Sequence, residues 1–135
     1  MKAKLKLPAE REKLEEALRF VVDNLERDEC GMKAQMQIEV AVEELFVNIA
    51  SYAYPPGSGS VTIEYSCENG VAEITLTDSG TPYDPLAKED PDITLSVQER
   101  PIGGLGILMV KKTMDDMSYR SENGCNILTI KKQIK

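Results

Sequence analysis

Glu44 and Asn48 stand four residues apart in Glu44-Leu45-Phe46-Val47-Asn48, so on a helix they stack on one face, and Tyr52 continues the stripe. A carboxylate at such a place can orient a water or a hydroxyl, and it acts as a general base once a nucleophile lies within hydrogen-bond reach. Asn is a poor helix-interior residue because its amide competes for backbone hydrogen bonds. Two readings of Asn48 stand: a partly exposed amide that costs little, or a carbonyl oxygen coordinating a hard cation such as Mg²⁺, which takes oxygen ligands and keeps several waters. Glu43 points further into solvent.

Asp78 keeps the parity of Ala72, Ile74 and Leu76, which places its carboxylate at a strand end on the buried face, where a charge is costly without a donor. It either closes an Asp-Ser-Gly-Thr-Pro turn or accepts from an exocyclic amine such as that of adenine. Gly80, without a side chain, would let a flat base lie close to the backbone. Gly103, Gly104 and Gly106 sit where a loop becomes a helix, and backbone N–H groups there form an anion site helped by the helix dipole. The spacing is not G-x-G-x-x-G after a strand and no Gly-Lys dipeptide occurs, so neither a Rossmann nor a Walker phosphate loop is supported. Arg100, just before these glycines, is a planar permanent cation that can reach a terminal phosphate or simply stay solvated. Lys111 and Lys112 read as a wet helix face.

These residues need elements to hold them. Lys2, Lys4 and Lys6 alternate with Ala3, Leu5 and Leu7, which predicts a short edge strand with one wet face. After Pro8, Leu14, Ala17, Leu18, Val21, Val22 and Leu25 recur at helical spacing, with Glu10 and Glu12 in the acidic first turn. A second helix is predicted from about Met32 to Tyr54, stopped by Pro55-Pro56-Gly57. Alternating Val61, Ile63, Tyr65 and Ala72, Ile74, Leu76 flank a Glu68-Asn69-Gly70 turn, a β-hairpin. A third helix runs from the glycines to about Met117 with Ile107, Val110, Met114 and Met117 inward. A turn at Glu122-Asn123-Gly124 then joins a strand at Ser118 to Arg120 to a last strand from Asn126 to Ile130. Between Thr81 and Ile102, four prolines break all periodicity over a stretch long enough to be a lid. The order predicts an α+β fold with helices on one face of a mainly antiparallel sheet.

Composition narrows the chemistry. The 135 residues fit one domain, 1–135, and the net charge of −7 repels phosphate backbones, so direct nucleic-acid binding is disfavoured. There is no His, which removes His general bases, Ser-His-Asp triads and Cys/His zinc sites together. Cys30, Cys67 and Cys125 are odd in number and far apart, and read as buried reduced thiols. No apolar run approaches the length of a membrane span, so a cytoplasmic protein is expected.

Three motifs in order, Glu44 to Asn48, Asp78-Ser79-Gly80-Thr81-Pro82-Tyr83-Asp84-Pro85 and Gly103-Gly104-Leu105-Gly106-Ile107, resemble the GHKL (histidine-kinase-like) ATPase superfamily. Within it, the compact chain, Pro82 to Pro85 and Met114-Asp115-Asp116 are similar to bacterial anti-sigma factor serine-protein kinases. That resemblance implies a two-layer α/β sandwich with a mixed, mainly antiparallel sheet, binding ATP and Mg²⁺ under a lid at about 82–106. It implies Glu44 as catalytic base, Asn48 as Mg²⁺ ligand, Asp78 as acceptor of the adenine amine and Gly80 as the close-approach glycine. Gly103, Gly104, Leu105 and Gly106 become the phosphate-contacting end of the lid, with Tyr83 and Arg100 as further nucleotide contacts. Three positions depart from the pattern: Tyr52 where many relatives have His, Pro82 for a second glycine, and Cys125 after Gly124, where a Thr commonly helps hold adenine through water.

The function so implied is a kinase that phosphorylates a serine on an anti-sigma factor antagonist protein and so regulates transcription through a sigma factor. The alternative is an ATP-dependent switch that sequesters a sigma factor or other regulator with little or no kinase activity. A homodimer is left open. The catalytic part of a sensor histidine kinase would require a helical segment with its own phosphorylatable His, and the sequence has none.

Overall fold

The computed structural model describes residues 2–50, 59–80 and 104–135. Strand β1 (Lys2–Pro8) leads through a 3-10 turn at Arg11–Lys13 into α1 (Leu14–Arg27), then α2 (Met32–Asn48), β2 (Ser60–Glu68), β3 (Val71–Asp78), α3 (Gly104–Thr113), β4 (Asp116–Glu122) and β5 (Cys125–Gln133). The five strands form one sheet in the order β1-β2-β3-β5-β4, and every pairing among the described strands is antiparallel. The helices cover one face, giving the α+β sandwich expected from the sequence.

Strand parity decides which residues meet the helices. Val61, Ile63 and Tyr65 on β2, Ala72, Ile74 and Leu76 on β3 and Leu128 and Ile130 on β5 are buried on one side. They meet Ala17, Val21 and Leu25 of α1, Ile38, Ala41, Val42, Leu45 and Phe46 of α2, and Ile107 and Val110 of α3. The opposite face is polar: Lys4 pairs with Glu64, and Lys131 lies between Glu73 and Asp116 across three strands. A groove of about 480 Å³ on that face, lined by Lys2, Glu64, Ser66, Glu73, Thr75 and Lys131 among others, contains none of the expected site residues.

The two hairpin turns follow from their sequences. Asn69 (φ 53°) with Gly70 (φ 78°), and Asn123 (φ 53°) with Gly124 (φ 78°), adopt the left-handed backbone that a two-residue hairpin requires. The Gly70 carbonyl also accepts from the Ile134 and Lys135 amides, which ties the chain's last residues to the sheet. Toward the same end of the hairpin, the Tyr65 hydroxyl donates to Asp28 Oδ2 at 2.8 Å and fixes the α1–α2 connection against β2.

Three boundaries differ from expectation. The acidic residues in the first turn of α1 are Glu15 and Glu16, because Glu10 and Glu12 fall before it, around the 3-10 turn. Helix α3 stops at Thr113, where Lys132 Nζ donates to the Thr113 carbonyl at 2.6 Å and the Asp115 amide turns to the Lys131 carbonyl. Met117 therefore belongs to β4, paired with Ile130, and reaches the core from the sheet instead of a helix. The predicted end of α2 at Tyr54 lies outside the described residues. The three cysteines are free, as expected, but half-buried instead of buried.

Ile74 is fully buried on a central strand beneath the helices. Ile74→Ala is expected to lower unfolding stability by about 3 kcal/mol, read from the urea midpoint, since deleting core methylenes costs both transfer energy and a cavity. Lys4→Ala on the wet edge strand should change it by less than about 0.5 kcal/mol.

Candidate functional site

Helix α2 brings Glu44 and Asn48 onto one ridge, flanked by the buried Ala41 and Leu45. Both side chains are half-buried. Burial, and secondarily the neighbouring Glu43 carboxylate, push the Glu44 carboxyl above the usual glutamate range. Among the described residues the Asn48 Nδ2 is buried and has no hydrogen-bond partner. A buried amide donor without an acceptor is costly, and Asn24 Oδ1 on α1 is the other buried side-chain polar atom without a partner among the described residues.

Asp78 ends β3 on the helix-facing side and is 6% exposed. Its Oδ1 accepts from the Gly80 amide at 2.8 Å and from Asn126 Nδ2 at 3.0 Å. The first contact is an Asx turn, so the turn expected from the sequence does form. It uses only one carboxylate oxygen, and no described donor reaches Oδ2. Asn126 is likewise 6% exposed and sits directly across the ladder from Asp78. Its Nδ2 also reaches the Gly80 carbonyl at 3.2 Å, and its Oδ1 accepts from the Tyr119 hydroxyl at 2.6 Å.

Sequence reasoning singled out neither Asn126 nor Tyr119; the only residue of β5 it weighed for the site was Cys125, as a departure from the family's Thr. Cys125 pairs with Glu122 and points to the other side of the sheet, where its thiol lies 3.6 Å from the Ser79 hydroxyl. The register, counted back from the inward-facing Ile130 and Leu128, gives position 126 to the interior. That parity was present in the sequence and would have identified Asn126 as a buried polar residue.

Gly104, Leu105 and Gly106 form the first turn of α3, so the helix begins within the glycine motif, as the sequence predicts. Tyr52, Pro82, Tyr83, Arg100, Gly103 and most of the expected lid lie outside the described residues. Of the two lysines expected on a wet face of α3, Lys112 is exposed and Lys111 is half-buried. No group of three or more Cys, Asp or Glu that could hold a metal occurs among the described residues.

Residues 7–132 match the family model described as the histidine kinase-like ATPase domain. The chain belongs to that family. It is 27% identical over 106 residues to the serine/threonine-protein kinase BtrW of Bordetella bronchiseptica, covering 77% of this chain and 74% of the relative. It is 29% identical over 98 residues to the serine-protein kinase RsbW of Bacillus cereus, covering 70% of this chain and 61% of that relative's length. In fold it is similar to the RsbU and RsbW domains of a Mycobacterium tuberculosis protein, with TM-score 0.72 at 12% identity over 99% of this chain and 32% of that one. A chain of the SiaB–SiaC complex of Pseudomonas aeruginosa gives TM-score 0.61 at 16% identity, covering 96% of this chain and 88% of that one. The domain is thus a histidine kinase-like ATPase domain whose curated relatives are named serine-protein kinases. Among the described residues, no helix is long and apolar enough to cross a membrane.

The raised Glu44 carboxyl makes a stability prediction with a definite sign. A carboxyl that is harder to ionise in the fold than in the unfolded chain favours folding when protonated, and this contribution is lost as pH rises from the ordinary glutamate pKa through the raised one. Glu44→Gln, permanently neutral, is therefore expected to melt at a higher temperature than wild type at pH 7. The difference should vanish near pH 4, as thermal unfolding at the two pH values will show.

Proposed function

We propose that this domain binds Mg-ATP and transfers its γ-phosphoryl group to a serine of an anti-sigma factor antagonist protein. The observation that carries the reading is Glu44: a half-buried carboxyl held above its usual range, one helical turn from an Asn with an unpartnered buried amide. That is the setting of a general base tuned toward neutral pH. The names of the serine-protein kinase relatives support the same reaction class.

The residues present fit the two groups the family implies. For ATP, the Asp78 Oδ2 is an acceptor without a described donor, suited to the exocyclic amine of adenine, and the first turn of α3 offers N–H groups to phosphate oxygens. For Mg²⁺, the hard oxygen of Asn48 is a suitable single protein ligand for an ion that keeps most of its shell as water and phosphate. When bound, Mg-ATP supplies the phosphoryl group and neutralises the charge that develops on it.

The chain's own residues do the rest. Asp78 orients the base, with Gly80 leaving room beside it, and the α3 N-terminus aligns the phosphates. Asn48 steadies the metal end, and Glu44 takes the proton from the incoming serine hydroxyl. Tyr83, Arg100 and Gly103 are proposed as further nucleotide contacts, within a lid at about 82–106 of a single domain spanning 1–135. A cytoplasmic setting and a homodimer belong to the same proposal. The net charge of −7 favours a protein partner over nucleic acid.

The test is transfer of labelled γ-phosphate to a purified anti-sigma factor antagonist. Wild type should label one serine, chelation of Mg²⁺ should stop it, and Glu44→Ala should slow it by about 100-fold or more, the usual contribution of a positioned base. Unchanged labelling by Glu44→Ala would remove the base assignment. A sigma factor retained by ATP-loaded protein, with no labelling even by wild type, would replace the kinase with the sequestering switch.

A further inference from the structure

The nucleotide reading leaves two residues without a role, Asn126 and Tyr119, although Asn126 supplies the side-chain donor to Asp78 and Tyr119 in turn donates to Asn126. Asn126 Nδ2 faces two acceptors, Asp78 Oδ1 at 3.0 Å and the Gly80 carbonyl at 3.2 Å. Turning the amide over would set its oxygen against both, so chemistry alone fixes the nitrogen toward Asp78. The amide oxygen then points at Tyr119, whose hydroxyl must be the donor in their 2.6 Å contact. Each group therefore has one allowed orientation, and the chain of donors runs in one direction, from Tyr119 through Asn126 to Asp78.

The consequence falls on the carboxylate. With Oδ1 saturated by Asn126 and the Gly80 amide, the plane of the Asp78 carboxylate is fixed and Oδ2 is presented as an acceptor. A fixed acceptor rewards a ligand that brings an N–H and penalises one that brings a carbonyl oxygen, because the latter would leave two acceptors facing each other. Purines with a 6-amino group carry the donor; those with a 6-oxo group carry the acceptor.

We propose that Asn126 and Tyr119 are positioning residues that set the preference for 6-amino over 6-oxo purine nucleotides by locking the Asp78 carboxylate. The proposal rests on the ATP reading above and extends it to base selectivity. Tyr119 lies on β4, which is an edge strand, so the lock reaches from the nucleotide site to the rim of the sheet.

The experiment is calorimetric titration of the full chain with ATP and, separately, GTP, for wild type, Asn126→Leu and Tyr119→Phe, with a thermal melt of each. Asn126→Leu keeps the branched heavy-atom skeleton, at a larger volume, and removes the donor to Asp78. Tyr119→Phe removes one hydroxyl from a half-buried ring, and it carries the test should Asn126→Leu fail to fold. Wild type should prefer ATP. Both variants should weaken ATP by roughly three- to tenfold, the scale of one hydrogen bond, while GTP affinity holds or rises, so that the ATP-to-GTP ratio falls. Tyr119→Phe should show the smaller fall.

A merely structural role would weaken both nucleotides together and leave the ratio unchanged, and that result overturns the proposal. So does an unchanged ATP affinity in a folded Tyr119→Phe variant. Absence of ATP binding by wild type is a different outcome, which removes the nucleotide reading itself and this extension with it.

Discussion

Everything else in the site depends on how one carboxylate survives burial at the end of β3. A charge at 6% exposure is tolerable only with fixed donors, and Asp78 has two, one from its own turn and one from the strand beside it. The sheet register supplies the second donor: β5 must run antiparallel to β3 in the observed alignment for Asn126 to fall opposite Asp78. A slip of one residue would turn Cys125 or Ile127 inward and leave the carboxylate alone. The hairpin at Asn123-Gly124 and the pairing of Ile130 with Ile74 hold that register, so the hydrophobic core and the polar site are parts of one constraint.

The helix layer carries the opposite kind of tension. Glu44 sits where burial and Glu43 resist its ionisation, beside an Asn48 amide that has no described partner. Neither feature helps the fold. The apolar stripe of α2, from Ile38 to Phe46, is extensive enough to hold the helix despite them. An orphaned buried amide atom is not peculiar to this ridge, since Asn24 Oδ1 on α1 also lacks a described partner; what sets the α2 ridge apart is the pairing of such an amide with a carboxyl whose ionisation is resisted.

Much of this was legible in the sequence, because period and parity are strong signals. The inward sets of β2 and β3, the buried stripes of α1 and α2 and both Asn-Gly hairpins follow from spacing alone, and three motifs in order pointed to the family that the family-model match then established. What the sequence did not supply were some boundaries and the partners across the sheet. The end of α3 is decided by Lys132, nineteen residues along the chain from the carbonyl it caps, a contact that no local pattern contains. Asn126 falls inside the expected last strand, and its inward direction follows only when parity is counted back from the core residues Ile130 and Leu128. The Tyr119 hydroxyl meets Asn126 only because β4 pairs with β5, and its role is visible in three dimensions alone.

The central claim, a nucleotide site built on Asp78, is tested most directly by titrating ATP into wild type and Asp78→Asn with and without Mg²⁺. The Gly80 and Asn126 donors would hold the new amide's oxygen, which turns its nitrogen toward the adenine amine and sets donor against donor. Saturable binding by wild type, strengthened by Mg²⁺ and weakened at least about tenfold in Asp78→Asn, is the predicted result. Equal binding by the variant, or no binding by wild type at millimolar ATP, would contradict it.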